Sequence, residues 1–276
     1  VTTEDDSYAV NRGYWDERAP AHAGSSDYGV ERFVNDPSYL SQVVSFDVPR
    51  LGDLHGLRGV HLQCHIGTDT LSLARLGARM SGVDFSEPAL SAARELAAAT
   101  GTEIDYLHSE LYRAPEVLPA GAFDLVFTGI GALCWLPDVR RWAAVVATLL
   151  APGGRLFIRE GHPVLWAIDE QVTDALVIGY PYFETPQPLV WDEPGTYVAT
   201  DAVLTSTVSH SWNHGTGEII SALLAEGLRI TGYEEHDSVP WEALPGQMVR
   251  DDAGEWRLQE RRERLPLSYT LQAVKP

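Results

Sequence analysis

Between residues 58 and 160 the hydrophobic positions of this 276-residue chain switch repeatedly between two periods. Short apolar runs over 60–64, 79–84, 103–108, 123–127 and 155–159 are bounded by turn residues and read as buried strands. Between them the apolar positions recur at helical spacing. Over 69–76 they are Leu71, Leu73, Ala74 and Leu76, and Gly77 supplies the stop. Ser86, Glu87 and Pro88 predict a capped helix running to about Thr100. Another helix is predicted over 140–150, closed by Ala151, Pro152, Gly153 and Gly154. Strands alternating with helices in this way predict βαβ units and a mostly parallel sheet with right-handed crossovers. Ligands on such sheets sit at the carboxyl ends of the strands. The segments to watch are therefore 63–69, 84–86, 109–111, 128–132 and 160–166.

The regular pattern stops at both ends. Residues 8–18 have helical potential, with Tyr14 and Trp15 in a polar setting, and 39–48 predict a second helix beginning at 36–38. This N-terminal part is either a lid or a packing element. After 160 the chain becomes rich in proline and aromatic residues as far as 215. Two alternating runs there, 196–200 and 204–211, predict a hairpin. A helix over 217–226 ended by Gly227 follows, then strands over 228–236 and 267–274, joined by a loop spanning 240–266. The expected organisation is one domain: a lid (1–50), a core (51–160), an insertion (161–216) and a closing segment (217–276).

Composition narrows the function classes. With 45% hydrophobic and 9% aromatic residues the chain is an ordered globular protein. A net charge of −19 argues against nucleic acid as a partner, since that affinity rests on basic side chains neutralising phosphates. The charge favours solubility and biases binding toward neutral or cationic ligands. Cys64 and Cys134 lack C-x-x-C spacing and read as buried free thiols of a reducing compartment. No apolar run approaches 18 residues and no basic, apolar leader is seen, so the expectation is a cytoplasmic protein without membrane association, monomeric or homodimeric.

The chemistry concentrates in 59–84, a strand, a turn, a helix and a second strand ending in Asp84. Such a unit binds nucleosides, with backbone N–H groups at a helix start and an acid gripping the ribose. Its turn keeps one glycine, Gly67, and carries Gln63 and His65 where glycines are expected. Glycine there admits positive φ and close backbone approach. Gln63 and His65 are tolerated if their φ is negative, and their side chains then either point away or replace backbone contacts to the ligand. His162 follows the fifth strand directly and is a candidate general base, a substrate hydrogen bond or a loop histidine satisfied by backbone. His214 is a second candidate base. His210 and His214 have metal-ligand spacing for a helix, but the segment reads as strand then turn, so no metal site is expected. Glu160 and Glu184 either orient a histidine or a cationic substrate, or are solvated surface acids.

Taken in order, these pieces resemble the class I S-adenosylmethionine-dependent methyltransferases over about 39–274, and especially those small-molecule enzymes with a substrate insertion after the fifth strand. The family's acid-x-Gly-x-Gly-x-Gly loop falls on His61, Gln63, His65 and Gly67, so the acid and the first two glycines are absent. Asp84 matches the ribose-binding acid, Glu110 the residue near adenine and Leu111 its apolar neighbour. The run at 123–126, followed by 129–135, matches the fourth-strand motif, and 149–158 matches the L-x-P-G-G turn before strand five. The resemblance implies a Rossmann-like α/β fold with a seven-stranded, mostly parallel sheet, helices on both faces, an N-terminal helical lid and an inserted β-rich segment. It implies S-adenosyl-L-methionine as cofactor, bound by Tyr14, Trp15 and Arg18 of the lid together with Gln63, His65, Gly67, Asp84, Phe85, Ser86, Glu110, Leu111 and Thr128. The implied reaction is methyl transfer to an O or N atom of a small metabolite, with His162 or His214 removing or relaying a proton. Trp166, Tyr182, Trp191, His210 and Trp212 are candidates to line the substrate, and the aromatic residues among them either form such a wall or fill a second small core. The alternative is an S-adenosylmethionine-binding protein of the same fold that performs a non-methylating reaction, or that only binds a ligand or partner.

Overall fold

The computed structural model describes residues 4–276. The chain enters through α1 (Glu4–Gly24), α2 (Val30–Asn35) and α3 (Gln42–Leu51). The alternating section follows as β1 (Arg58–Leu62), α4 (Thr68–Arg75), β2 (Arg79–Asp84), α5 (Glu87–Ala99) and β3 (Asp105–His108). After a 3₁₀ turn, Leu111–Arg113, come α6 (Ala114–Val117), β4 (Phe123–Thr128), a second 3₁₀ turn, Leu133–Trp135, and α7 (Val139–Leu149). The remaining elements are β5 (Leu150–Gly161), α8 (Pro163–Trp166), β6 (Leu189–Asp192), β7 (Val208–Ser211), α9 (Thr216–Ala225), β8 (Arg229–His236), β9 (Ser238–Val239), β10 (Met248–Arg250), β11 (Trp256–Leu258) and β12 (Ser268–Val274).

The main sheet has seven strands in the order β3-β2-β1-β4-β5-β12-β8. From β3 to β5 every pair is parallel, and β12 runs antiparallel to both β5 and β8. This is the Rossmann-like arrangement expected. Successive residues of a strand face opposite sides. Val126 and Ile158 therefore join Trp142 of α7 and Leu223 of α9 in one core, while Phe127 and Phe157 face Val44 of α3 and Leu73 of α4 on the other. The local signals account for most helix starts. Ser86 caps α5 by accepting from Ala89 N at 3.3 Å, and Asp138 caps α7 by accepting from Arg140 N at 2.8 Å.

Three expectations need correction. The helix expected from 36–38 begins later, at Ser41, whose hydroxyl accepts from Val44 N at 3.2 Å. Asp36 instead closes α2 and turns its carboxylate onto Ser38. The hairpin of the insertion pairs β6 with β7, and 196–200 form no strand. Thr196 and Tyr197 instead bond His22 of α1. Finally, the connection over 240–266 is not simply a loop. It carries β10 and β11, which join β9 in a three-stranded antiparallel sheet in the order β10-β11-β9. That sheet shares a small core with Leu165 and Ile168, and the fully buried ion pair of Arg159 and Glu255 (2.6 Å) ties it to β5. No helix among the described residues is long and apolar enough to cross a membrane.

Candidate active site at the strand ends

β1 ends at Leu62 and the chain turns through 63–67 into α4. Gln63 (φ 57°), His65 (φ 48°) and Gly67 (φ 77°) all adopt the left-handed conformation. The negative φ on which tolerance of Gln63 and His65 was expected to rest is thus not found: both adopt a left-handed backbone that glycine takes without strain. Each such residue costs about 1–2 kcal/mol relative to ordinary backbone. Their side chains offset this with hydrogen bonds. Gln63 Nε2 donates to Ala132 O at 3.0 Å, and His65 Nε2 lies 2.9 Å from His22 Nδ1. The His65 backbone N–H donates to Asp84 Oδ2 at 2.8 Å. Gly67 alone stays glycine for a steric reason. A Cβ there would strike the Tyr106 hydroxyl and come within 2.8 Å of Ala93.

Asp84 ends β2 and is 5% exposed. Its carboxylate accepts from His65 N through one oxygen and from Ser86 N (2.9 Å) through the other. Burial pushes its pKa up to about 6, the three backbone N–H groups around it oppose that rise, and the nearby Asp16 carboxylate adds to it. Each oxygen keeps lone pairs beyond these bonds, which suits a vicinal diol. Glu110 caps the turn Leu111–Arg113 by accepting from Tyr112 N at 3.0 Å, and burial raises its pKa. Leu111 is buried beside it. Phe85 packs against Tyr8 with centroids 5.6 Å apart, and its carbonyl accepts from His108 Nε2 at 2.8 Å.

At the ends of β1 and β4 several buried polar atoms have no partner: Gln63 Oε1, Thr128 Oγ1 and His61 Nε2. His61 occupies the position of the missing acid. Its Nδ1 lies 2.9 Å from Thr70 Oγ1, its ring meets Phe127 edge-on, and burial lowers its pKa to about 3, so it is neutral. Unpartnered buried polar groups are uncommon in folded proteins, and at the carboxyl ends of parallel strands they suit a polar ligand; His61 lies on the Phe127 face of the sheet and Thr128 on the opposite one.

The residues of α1 expected to form a lid divide. Trp15 packs T-shaped against His65 and Trp135, at 5.2 and 5.1 Å. Tyr14 is buried under Arg18, whose guanidinium carbon lies 3.2 Å from the ring centroid. Arg18, expected to reach the cofactor, is 1% exposed and donates to the carbonyls of Tyr14, Glu193, Gly195 and Ser206. It is a clamp between α1 and the 193–206 segment, and in this conformation its NH1 and NH2 groups are taken up by carbonyls.

The loop between β4 and α7 is held from below by residues of later segments. Glu160 is 2% exposed and accepts from the backbone N–H groups of Gly131, Ala132, Leu133 and Gly161 at 2.6–2.9 Å. Burial raises its pKa against those donors. The surface-acid reading of Glu160 is therefore wrong. His214, a candidate base, places Nε2 on the carbonyls of Leu133 (3.1 Å) and Leu136 (2.8 Å) and Nδ1 on Glu184 Oε2 (2.8 Å). A ring nitrogen facing carbonyls must carry its proton, so His214 has no lone pair to spare for a substrate. Glu184 also caps α7 through Val139 N at 3.0 Å; burial opposes its ionisation, but His214 and that N–H hold its pKa below the usual value. His162, the other candidate base, accepts from Val164 N with Nδ1 and faces Glu235 with Nε2, both at 3.2 Å. It caps α8 and is likewise occupied.

The aromatic residues of the insertion do not form one wall. Trp166 stacks on Trp241 at 5.6 Å, Trp191 meets Tyr180 and donates to Ser211 Oγ, and Tyr182 packs on Phe183. Trp212 is buried, and with Trp166, Glu160, His214 and Tyr269 it lines a cavity of about 10 Å³. That volume holds roughly one water. His210 sets Nδ1 against Ser7 Oγ at 2.9 Å, while Asn11 bonds its backbone N–H and carbonyl, both at 2.8 Å. His162, His210 and His214 thus have separate partners, and no group of metal ligands is found among the described residues. Cys64 is buried as expected, but Cys134 is only partly so, and both are free thiols. Glu160 is visible in the sequence as an acid closing an apolar strand, but its loop-holding role is not; nothing in the sequence points to Asn11 or His22.

Residues 60–156 match the family model described as a methyltransferase domain. A curated relative, the ubiquinone biosynthesis O-methyltransferase of Nitrosococcus oceani, is 38% identical over 104 residues, which cover 38% of this chain and 43% of the relative. The match thus spans less than half the length of that relative. Among solved structures, an S-adenosylmethionine-dependent methyltransferase from Mesorhizobium loti superposes with a TM-score of 0.56 at 24% identity, covering 85% of this chain and 98% of the other. A putative enzyme of that kind from Listeria monocytogenes superposes with a TM-score of 0.62 at 18% identity and the same coverage. These structures establish the fold.

Proposed function

We propose that this chain, whose residues 60–156 form a methyltransferase domain on the class I S-adenosylmethionine-dependent methyltransferase fold, transfers a methyl group from S-adenosylmethionine to an O or N atom of a small metabolite. The observation that carries the reading is the coincidence of that domain with the strand ends that bear Asp84 and the unpartnered Gln63 Oε1 and Thr128 Oγ1. The cofactor supplies an activated methyl on a sulfonium. In this reading Asp84 accepts from the ribose hydroxyls, and Glu110 and Leu111 face the base. Gln63 Oε1 and the Thr128 hydroxyl offer polar contacts to the amino-acid end. Trp15, Tyr14 and Trp135 exclude water from the mouth, which strengthens every polar contact inside. Positioning by these groups supplies most of the rate, because transfer between aligned partners needs little covalent help from the protein.

His162 and His214 are not assigned as bases, since their ring nitrogens are engaged. Their role is to hold the loops that face the acceptor. The net charge of −19 favours a neutral or cationic acceptor. The test is release of S-adenosylhomocysteine over a metabolite panel, paired with cofactor titration of Asp84→Asn. The variant should bind S-adenosylmethionine about 10–100-fold more weakly, the loss expected of hydrogen bonds to a charged acceptor. Unchanged affinity would move the ribose site away from β2. Substrate conversion without S-adenosylhomocysteine would instead mark a non-methylating enzyme.

A further inference from the structure

Three segments distant in sequence meet at a pair of histidines. His65 belongs to the loop after β1, His22 to the last turn of α1, and Thr196 to the insertion. His65 Nε2 and His22 Nδ1 are 2.9 Å apart, and His22 Nε2 is 2.7 Å from Thr196 Oγ1. The Tyr197 hydroxyl approaches His22 Nδ1 at 3.3 Å and bonds the Tyr28 hydroxyl, while Tyr28 stacks on the His22 ring at 5.3 Å. His65 holds a left-handed backbone that glycine would adopt without strain, so the imidazole has to contribute something glycine lacks. What it contributes is the link to α1.

We propose that His22 and His65 are positioning residues that latch α1 to the 63–67 loop, so that closure of the lid and the shape of the cofactor loop form together. The latch rests on the cofactor reading above for its purpose, but not for its geometry. Two neutral rings each bring one N–H, enough for a one-way chain from His65 through His22 to Thr196 or the reverse. One added proton can still be shared between the facing nitrogens; a second sets hydrogen against hydrogen. The surroundings disfavour even the first. Burial, with Arg18 on α1, lowers His22 to about 4, and burial, with His22 itself, lowers His65 to about 3. The other groups here are the Tyr28 and Tyr197 hydroxyls, the Asp27 and Asp69 carboxylates, which act on those tyrosines, and Asp84, held by the His65 backbone N–H. Because both folded-state pKa values lie below 6.5, the latch is fully formed above that pH and weakens as pH falls toward 4.

The test is amide hydrogen exchange on the full chain without ligand, followed by calorimetry with S-adenosylmethionine. His22→Ala, His65→Gly and the milder Thr196→Val should each speed exchange in α1 about fivefold to tenfold, the effect of losing one net hydrogen bond. His22→Ala should also speed exchange in the 63–67 loop, and the double histidine variant should be no faster than the faster single. His22→Asn, which retains a polar atom facing His65, should recover part of the protection. Between pH 7.5 and 5.5 the wild type should lose protection in α1 and the double variant should not. Changes confined to the mutated segment, a double variant equal to the product of the singles, or equal pH loss in wild type and double variant would overturn the latch. Cofactor affinity should fall in step with exchange in the variants. A wild type that shows coupled exchange yet binds no S-adenosylmethionine refutes the proposed function and leaves the latch standing.

Discussion

Two neighbouring loops close this site, and they are held by opposite means. The loop at 63–67 keeps a strained backbone, and its own side chains reach outward: Gln63 to Ala132, His65 to α1. The loop at 129–135 contributes backbone groups, and side chains from elsewhere reach in. Glu160 gathers three of its N–H groups, and His214 takes the carbonyls of Leu133 within it and Leu136 just beyond it. The Gln63 amide joins the two loops. The first is a local sequence feature anchored by small increments, whereas the second depends on buried polar groups with every partner in place. Buried networks of the second kind are costly to break in part. The loops therefore differ in what a substitution does.

The largest effect is expected at Glu160. Glu160→Gln puts an NH₂ group against backbone donors and should lower unfolding free energy by about 3 kcal/mol, since a buried donor loses its acceptor. Urea unfolding measures this, and a loss under about 1 kcal/mol would mean that the loop can reorganise. His214→Phe should follow, with about 2 kcal/mol lost to unpartnered carbonyls and the exposed need of Glu184 for a partner. A double-mutant cycle with Glu184→Gln should show coupling of about 1 kcal/mol, as for residues of one network. Gln63→Gly should be the smallest in stability. Relief of left-handed strain and loss of one hydrogen bond nearly cancel, leaving a change within about 1 kcal/mol of zero. A large loss there would show that the two loops are one unit.

Acid separates them in sign. His65 and His22 have depressed pKa values of about 3 and 4, so their contribution is lost as pH falls below about 6.5. Glu160 has a raised pKa, so its contribution is greatest at low pH and declines as pH rises through its folded value. Exchange corrected for intrinsic rates should show 63–67 loosening on acidification while 129–135 does not. Parallel loosening of both would remove the distinction.

The same contrast explains what was legible beforehand. Apolar periodicity and the caps at Ser86 and Asp138 are local, and they were enough to read the βαβ order. The mismatch at Gln63 and His65 was also visible, but its resolution was misjudged. Negative φ was expected because strain is uncommon, and the compensation lies in His22, 43 residues away in sequence. The candidate bases failed for a related reason. His162 follows β5 directly, as its sequence position indicates, yet a histidine's availability depends on what faces each ring nitrogen. Those partners, Glu235 and Glu184, come from other elements. The hairpin departs from expectation because 196–200 alternates like a strand while Thr196 and Tyr197 bond His22 of α1.

By itself the sequence determined the alternating elements and the end of β2 at Asp84, because each follows from chain-local sterics, capping and periodicity. Only the tertiary structure decided which polar side chains are free to act and which are used to hold loops. Hydrogen-bond partners in a buried site are drawn from anywhere in the chain, and the free energy of a buried polar group depends on them entirely.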